Sequence, residues 1–288
     1  DVCSSDLMQW QPIGYTFFKD GEARFENVGG EVVLAIVAWN GKEYATVSSP
    51  FFLERETGKI RFFTPEEEKQ KVVLYRKCNL YMSFLYNNRM VGGVVEGSDR
   101  ADFERTDTLF LIKEPPYRLH TVARLSSDRP YRYMRYKGAD GCFCNISELA
   151  FYKNMEDSIP LYGKVMGTPG SFGDNTHEYW NAFDGNPNTS FDYIHPDGGW
   201  TGLDFGTPCR VEKVVYTPRN EVNFIYKDNL YELFCWDNGK WNSLGQQVAV
   251  SDSLVYFAPK FALFYLRNHT TGKDERIFEY KNGKQCFW

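Results

Sequence analysis

Short apolar segments separated by turn residues constrain the fold of this 288-residue chain more than any other feature of its sequence. Pro, Gly, Asn and Asp recur at short intervals, and Phe, Tyr and Trp make up 17% of the residues. Many short strands joined by tight turns produce this texture. No long stretch shows the 3.6-residue period of an amphipathic helix. The sequence therefore predicts an all-β protein, and its length suits tandem β-sandwich domains.

The charge distribution disfavours a nucleic-acid partner. The formal charge is −5, and in the densest cationic run, residues 132–137, the basic residues alternate with Tyr and Met as they would on a strand. Non-specific nucleic-acid binding draws its energy from clustered Lys and Arg. The longest uninterrupted apolar run, residues 32–39, is far shorter than the ~20 residues of a spanning helix. We therefore also expect no transmembrane segment.

Turn signals divide the chain into four parts. Residues 1–7 are predicted to be a non-native leader, because they resemble the translated end of a sequencing adapter. In that case the true start is missing, and the lack of a signal peptide says nothing about secretion. Residues 8–79 predict a small transthyretin-like or immunoglobulin-like sandwich, in which Asn40-Gly41 forms a hairpin turn. Two further units are expected at residues 80–158 and 159–288.

The most distinctive motif lies in the last unit. Residues 180–191 (WNAFDGNPNTSF) form a polar turn, residues 200–206 (WTGLDFG) an apolar strand closed by glycine, and residues 211–219 (VEKVVYTPR) an alternating strand. With the later segment 231–236 (YELFCW), this order resembles a discoidin (factor V/VIII type C) domain, a jelly-roll sandwich that binds ligands with its loops. The resemblance implies a discoidin-like domain over residues 159–288.

A shorter pattern occurs twice. Residues 131–136 (YRYMRY) precede a polar loop and the segment 145–154, which ends in Tyr-Lys-Asn, and residues 261–267 (FALFYLR) precede a second segment that ends in Tyr-Lys-Asn at 280–282. This arrangement resembles the terminal hairpin of a discoidin fold. Residues 80–158 are therefore predicted to be a divergent discoidin-like unit. That unit lacks an oxygen-rich turn of its own, which puts a metal site there in doubt.

Oxygen-bearing side chains gather in the turn of the distinctive motif. Asp184, Asn186 and Thr189 lie within six positions, and Ca²⁺ prefers six to eight hard oxygen ligands. The resemblance implies a structural calcium ion, helped by an acidic residue near the last strand. Glu275 is the best match, although it is one position out of register with Glu148 when the Tyr-Lys-Asn endings are aligned. The alternative is an Asx-turn without metal.

Aromatic and planar polar side chains in the loops of residues 159–288 are candidates for sugar binding. A sugar ring stacks its C–H face on an aromatic ring, and its hydroxyls take planar hydrogen-bonding groups. The candidate residues are His177, Tyr179, Trp180, Tyr193, His195, Arg219 and Asn220. Trp180 could equally be a lid of the core. Trp200 and Trp241 are better explained as core residues.

Evidence for catalysis is thin. The four histidines are scattered, and the sequence contains no nucleophile elbow, zinc-binding helix or paired-carboxylate motif. The leading hypothesis is a non-catalytic, glycan-binding accessory region of an extracellular, periplasmic or cell-surface protein similar to those of gut Bacteroidetes. It would tether an upstream enzyme to carbohydrate. The alternative is a structural spacer that packs on an N-terminal catalytic domain of transglutaminase or glycosidase type.

Overall fold

The computed structural model describes residues 2–4, 9–25, 32–54, 56–78, 81–127, 129–173, 176–272 and 275–288. These residues form an almost entirely β structure of antiparallel sheets, which confirms the predicted fold class. The chain divides into two compact units: unit one combines Asp1–Asn79 with Phe224–Trp288, and unit two is Leu80–Asn223. Most of the predicted leader, at positions 1 and 5–7, lies outside the described residues.

Unit one begins with short strands. They are β1 (Val2–Ser4), β2 (Gln9–Gln11), β3 (Val33–Leu34), β4 (Val37–Trp39), β5 (Tyr44–Thr46), β6 (Phe51–Leu53), β7 (Ile60–Phe62) and β8 (Lys69–Leu74). Strands β4 and β5 form a hairpin around Asn40 and Gly41, as their sequence predicts. Gly41 has a φ of 95°, a left-handed conformation that such a turn requires.

Unit two starts with helix α1 (Tyr81–Arg89), which the sequence analysis did not predict. Its strands are β9 (Val94–Ser98), β10 (Asp107–Leu111), β11 (Thr121–Arg124), β12 (Tyr131–Lys137), β13 (Ile146–Tyr152), β14 (Lys164–Gly167), β15 (Trp200–Cys209) and β16 (Lys213–Pro218). A 3₁₀ helix spans Tyr179–Phe183. Unit one then resumes with β17 (Leu230–Asp237), β18 (Lys240–Val248), β19 (Leu254–Pro259), β20 (Leu263–Asn268), β21 (Ile277–Lys281) and β22 (Lys284–Phe287).

Unit two is a sandwich of two sheets. A five-stranded sheet, in the order β10-β9-β12-β15-β14, faces a three-stranded sheet, in the order β11-β16-β13. Side chains from both sheets meet in one core: Met134 and Tyr136 from β12, Phe151 from β13 and Val214 from β16 are all almost fully buried. Alternation along β12 places Arg135 on the face opposite Met134 and Tyr136, and the register shift between Tyr131 and Tyr133 interrupts this alternation at Arg132.

The predicted boundary at residue 159 needs correction. Strand β12 pairs with β15, and β13 pairs with β16, so strands on both sides of that position share both sheets. The predicted units at 80–158 and 159–288 are therefore not separate: residues 80–223 form one sandwich, and residues 224–288 belong to unit one. Residues 8–79, predicted as a separate small sandwich, belong to unit one together with residues 224–288.

Unit one contains three stacked sheets. The sheet β18-β17-β20-β21-β22 lies between the sheet β2-β1-β3-β6-β7 and the pair β19-β8. In β20, Leu263 and Tyr265 pack toward one side, and Phe264 and Leu266 toward the other. A strand covered on both faces reads as a continuous apolar run, which is the character of this segment.

The two segments of unit one contact each other at the points where the chain leaves unit one and returns to it. Arg76 and Phe224 form an isolated antiparallel bridge, and the Ile225 N–H donates to the Tyr75 carbonyl at 3.0 Å. An insertion with its two ends close together leaves the host fold intact. The arrangement is thus nested and not tandem. No helix among the described residues has the length and apolar character needed to cross a bilayer.

Candidate functional site

Loops converge at the end of unit two where β13 begins and β16 ends. Ile146 pairs with Pro218 there, and a backbone bridge joins Ile146 to Phe191. We call residues 139–145, 176–199 and 219–220 the loop cluster. The loop cluster contains all seven sugar-binding candidates and the oxygen-rich turn, so these residues do lie together in unit two. Glu275, the fourth expected metal ligand, lies outside the cluster.

Trp180 is an exposed aromatic ring among the candidates. The 3₁₀ helix buries Ala182 and leaves 51% of Trp180 exposed. Its ring meets Tyr179 edge to face, with 5.0 Å between centroids. Tyr179 is held close to β14, because a Cβ on Gly167 would lie 2.5 Å from the Tyr179 ring. Trp180 is therefore not a lid of the core. The half-buried Tyr179 ring packs against it.

A second pair of rings lies on the following loop. Tyr193 is half-buried, and its N–H donates to the Phe143 carbonyl at 2.8 Å. His195 is exposed, and its ring lies 5.4 Å from that of Tyr193. Tyr193 and Tyr179 both contact the buried ring of Phe191. The two exposed rings, Trp180 and His195, thus stand at the ends of one continuous series of ring contacts.

His177 and Asn220 have structural roles in this arrangement. The Nδ1 atom of His177 lies 3.1 Å from the Ser190 hydroxyl. Asn220 is 8% exposed, and its amide donates to the Pro187 carbonyl at 3.1 Å. Both side chains hold loops in place, and the ligand contact expected of them stays a prediction.

Arg219 is held by partners within unit two. Its guanidinium forms an ion pair with Asp192 and lies over the Tyr86 ring, 4.4 Å from the centroid. Only 17% of the Arg219 side chain is exposed. Burial raises the pKa of Tyr86, and the Arg219 charge opposes that change.

Three polar residues that the sequence analysis did not select as ligand contacts complete the network. Arg89, at the end of α1, donates to the Asn145 side-chain oxygen at 2.9 Å, and the Asn145 amide donates to Asp192 at 2.6 Å. Asp192 thus receives hydrogen bonds from both Asn145 and Arg219. These residues come from separate segments, so no local sequence pattern could indicate that they meet.

The oxygen-rich turn has the hydrogen bonds of an Asx-turn. The Asn186 N–H donates to one Asp184 carboxylate oxygen at 2.8 Å, and the Thr189 hydroxyl donates to the other at 2.7 Å. Asp184, Asn186 and Thr189 therefore lie together, as predicted. Among the described residues, no group of three or more His, Cys, Asp or Glu side chains is arranged to hold a metal ion.

The acidic residue beside this turn is Glu148, which corrects the choice of Glu275. Glu275 belongs to unit one, where its carboxylate accepts hydrogen bonds from Tyr265 and from the Asn268 backbone. Glu148 lies on β13 next to a register shift, and its Oε1 atom is buried without a hydrogen-bond partner among the described residues. Burial, and secondarily the nearby Asp184 carboxylate, raises the pKa of Glu148 to about 8.

These residues suit a hard cation. Glu148 has a buried oxygen without a hydrogen-bond partner, and it lies beside a second carboxylate and a turn with further oxygens. A nearby cation would favour the ionised form of both carboxyl groups. Ca²⁺ takes carboxylate, hydroxyl and carbonyl oxygens together. Glu148, Asp184 and Thr189 are the residues that would hold such an ion, whose effect would be to neutralise the two carboxylates.

Comparisons with known proteins give no identification. No protein-family model, no curated protein and no solved structure matches the chain. The discoidin resemblance and the functions that it implies therefore stay predictions.

Proposed function

We propose that unit two is a glycan-binding module and that the loop cluster forms its contact surface. The observation that carries this proposal is the exposed Trp180 ring supported edge to face by Tyr179. An indole face held rigidly above its loop can stack on the C–H face of a sugar ring. His195 and Tyr193 supply hydrogen-bonding groups on the neighbouring loop.

In this proposal, the polar network behind these rings holds the loops in the conformation that binds the sugar. Arg219 and Asn145 both donate hydrogen bonds to Asp192, so three segments of unit two are joined. Loops fixed in advance lose less conformational entropy when they bind. We accordingly assign Trp180, Tyr193 and His195 to direct contact, and Arg219 to positioning of the loop that carries Asp192.

Calcium has a structural role in the proposal. An ion held by Asp184, Thr189 and Glu148 would fix the turn after the 3₁₀ helix and hence the orientation of Trp180. An extracellular module functions with a dissociation constant as weak as ~10⁻⁴ to 10⁻³ M. The protein would then tether an enzymatic domain to its polymer, because even weak binding raises the effective concentration of substrate.

A glycan array, followed by calorimetry on the full chain in millimolar calcium, tests the proposal. Trp180→Ala should abolish binding and leave the melting temperature nearly unchanged. The matched control is Tyr162→Ala: Tyr162 is 79% exposed, and it lies beyond the opposite end of β13 in unit two. Its loss should not affect binding. The absence of binding to any glycan by the intact chain would contradict the proposal.

An interaction role is the second candidate, and the surface of unit one favours it. Strands β4 and β5 pair only with each other among the described strands, and they expose the contacting rings of Trp39 and Tyr44. Tyr15 and Phe17 are also more than 80% exposed. An adjoining catalytic domain is the partner that we assign to this surface.

Substitution of Tyr15 and Phe17 by Ser tests that role. The free energy of unfolding of the chain should change by less than about 0.5 kcal/mol, because neither ring is buried. A loss of several kcal/mol would show that the rings belong to the core of unit one and do not await a partner.

A further inference from the structure

Phe143, in the loop cluster, has a backbone conformation that bulky residues rarely adopt. Its φ is 56° and that of Cys144 is 50°, so two successive residues other than glycine are left-handed. This region is uncommon for residues other than Gly, Asn and Asp, and a bulky side chain there is an outlier. Such conformations cluster at functional sites, and they persist only where surrounding contacts hold them.

Both backbone groups of Phe143 bind the loop that carries His195. The Phe143 N–H donates to the Pro196 carbonyl at 3.1 Å, and the Phe143 carbonyl accepts the Tyr193 N–H at 2.8 Å. Residues 193–196 are thus held at both ends by one residue. The φ and ψ angles of that residue alone set the direction of its N–H relative to its carbonyl. A different conformation at position 143 would therefore break one of the two hydrogen bonds.

Neighbouring backbone holds the turn in this conformation. The Cys142 N–H also donates to the Pro196 carbonyl, at 3.0 Å. A Cβ on Gly199 would lie 2.7 Å from the Cys144 Cβ and 2.9 Å from the Tyr193 Cβ, so the turn and the loop are closely packed. These contacts supply the support that a left-handed turn without glycine requires.

The ring of Phe143 contacts a different group. The Arg89 guanidinium lies 4.9 Å from the ring centroid, and Arg89 also donates to the Asn145 side chain at 2.9 Å. Among the described residues, no ring contact joins Phe143 to Tyr193 or His195. The backbone and the side chain of Phe143 therefore act on different neighbours, and their effects can be measured separately.

From these contacts we infer that Phe143 is a positioning residue for Tyr193 and His195, and that it acts through its left-handed backbone. The inference rests on the proposed function, because it assigns the turn to fixing a sugar-binding loop. Loops that are fixed before binding lose less conformational entropy when they bind. Substitutions of Phe143 should therefore change binding according to the backbone conformation that they permit, and not according to the loss of the aromatic ring.

Two variants of the full chain separate the backbone from the ring. Phe143→Asn and Phe143→Val both remove the ring, but Asn adopts the left-handed conformation readily and β-branched Val does not. Hydrogen exchange of the Tyr193 amide should be about tenfold faster in Phe143→Val and within about twofold of the unmodified chain in Phe143→Asn. The NMR signal of the His195 ring should change in Phe143→Val alone, with the His269 ring of unit one as the control.

Binding to a glycan array extends the test to function. It should weaken about tenfold in Phe143→Val and stay within about twofold of the unmodified chain in Phe143→Asn. Unchanged exchange of the Tyr193 amide in both variants would overturn the inference. Equal acceleration of exchange in both would also overturn it, because loss of the ring would then be the cause.

Two further outcomes are decided by the same measurements. Should Phe143→Val fail to fold, Phe143→Ala takes its place, since Ala also disfavours the left-handed region. If the intact chain binds no glycan on the array, the proposed function fails. The exchange and NMR results then still decide whether the backbone of Phe143 positions Tyr193 and His195.

Discussion

The two strands that end in Tyr-Lys-Asn, β13 in unit two and β21 in unit one, share a sequence pattern but differ in environment. β21 pairs with the apolar strand that precedes it, β20. β13 pairs with β16 instead, and the preceding apolar strand, β12, lies in the opposite sheet of the sandwich. A shared pattern of apolar positions therefore fixes the strand but not its partner.

The acidic residues near these strands differ in how well their charge is satisfied. The carboxylate of Glu275 accepts hydrogen bonds from the Tyr265 hydroxyl and, at 3.0 Å, from the Asn268 N–H, and Arg267 lies 3.9 Å away. Burial, and secondarily the bond to Glu275, raises the pKa of Tyr265. Glu148 faces a second carboxylate instead, and one of its oxygens is buried and unsatisfied. Glu275 thus has two hydrogen-bond donors and a nearby cation, whereas Glu148 lies beside another acid.

Dividing the chain tests whether the two strands belong to separate folding units. Residues 80–223 expressed alone should unfold in one cooperative transition, because both sheets and the core of unit two lie within them. Residues 159–288 should lack such a transition, because that fragment loses β12 and β13 from one unit and β8 from the other. Circular dichroism during urea titration measures both. A cooperative transition in the second fragment would contradict the nested arrangement.

Several features of the fold depend on neighbouring residues alone and can be predicted from the sequence. Short apolar segments between frequent turn residues predicted the β class, and Asn40-Gly41 predicted its hairpin. The turn from Asp184 to Thr189 also folds from neighbouring residues, so its side chains were correctly placed together.

The remaining features depend on contacts between distant positions. The pairing of β12 with β15 crosses the predicted boundary at residue 159, and no local signal distinguishes it from a hairpin with β13. Glu148 and not Glu275 lies beside the oxygen-rich turn, because β13 belongs to unit two and Glu275 to unit one. The network of Arg89, Asn145 and Asp192 joins three separate segments. Tertiary packing alone decides these cases.

Glu275→Gln tests the structural half of the comparison. An amide oxygen accepts hydrogen bonds more weakly than a carboxylate. The buried hydroxyl of Tyr265 and the buried N–H of Asn268 would therefore be left with weaker hydrogen bonds. The free energy of unfolding should fall by about 2 kcal/mol, with or without calcium. Chemical denaturation measures the change, and Glu156→Gln, at an exposed position of unit two, should have no effect. A calcium-dependent loss in Glu275→Gln would place Glu275 at a cation site after all.

Glu148→Gln tests the other half through the pH dependence of stability. The pKa of Glu148 is raised from its ordinary value to about 8, so the folded state retains a proton that the unfolded state has lost. Stability therefore falls as pH rises from about 4.5 through about 8. Without calcium, the variant should match the unmodified protein at pH 5 and exceed it at pH 9 by roughly 1 kcal/mol, a value reduced for partial solvent screening.

Millimolar calcium should reverse that order at pH 9. The ion stabilises the ionised carboxylate, so the unmodified protein gains stability by mass action and the variant gains less. Denaturation curves in EGTA and in calcium measure both states. Identical pH profiles for the two proteins in EGTA would contradict the raised pKa, and an unchanged profile in calcium would leave the Asx-turn as the full account of the turn.

The smallest expected effect comes from Asp184→Asn, which separates the two causes of the raised pKa of Glu148. The Asn side-chain oxygen can still accept the hydrogen bond from the Asn186 N–H, so the Asx-turn is preserved. Removing the Asp184 charge should lower the pKa of Glu148 but leave it above its ordinary value, because burial is the larger cause. A carboxyl titration by NMR measures this shift. A return of the Glu148 pKa to its ordinary value would show that the neighbouring charge dominates. No change would mean that the two carboxyl groups do not interact, and the comparison with Glu275 would then rest on burial alone.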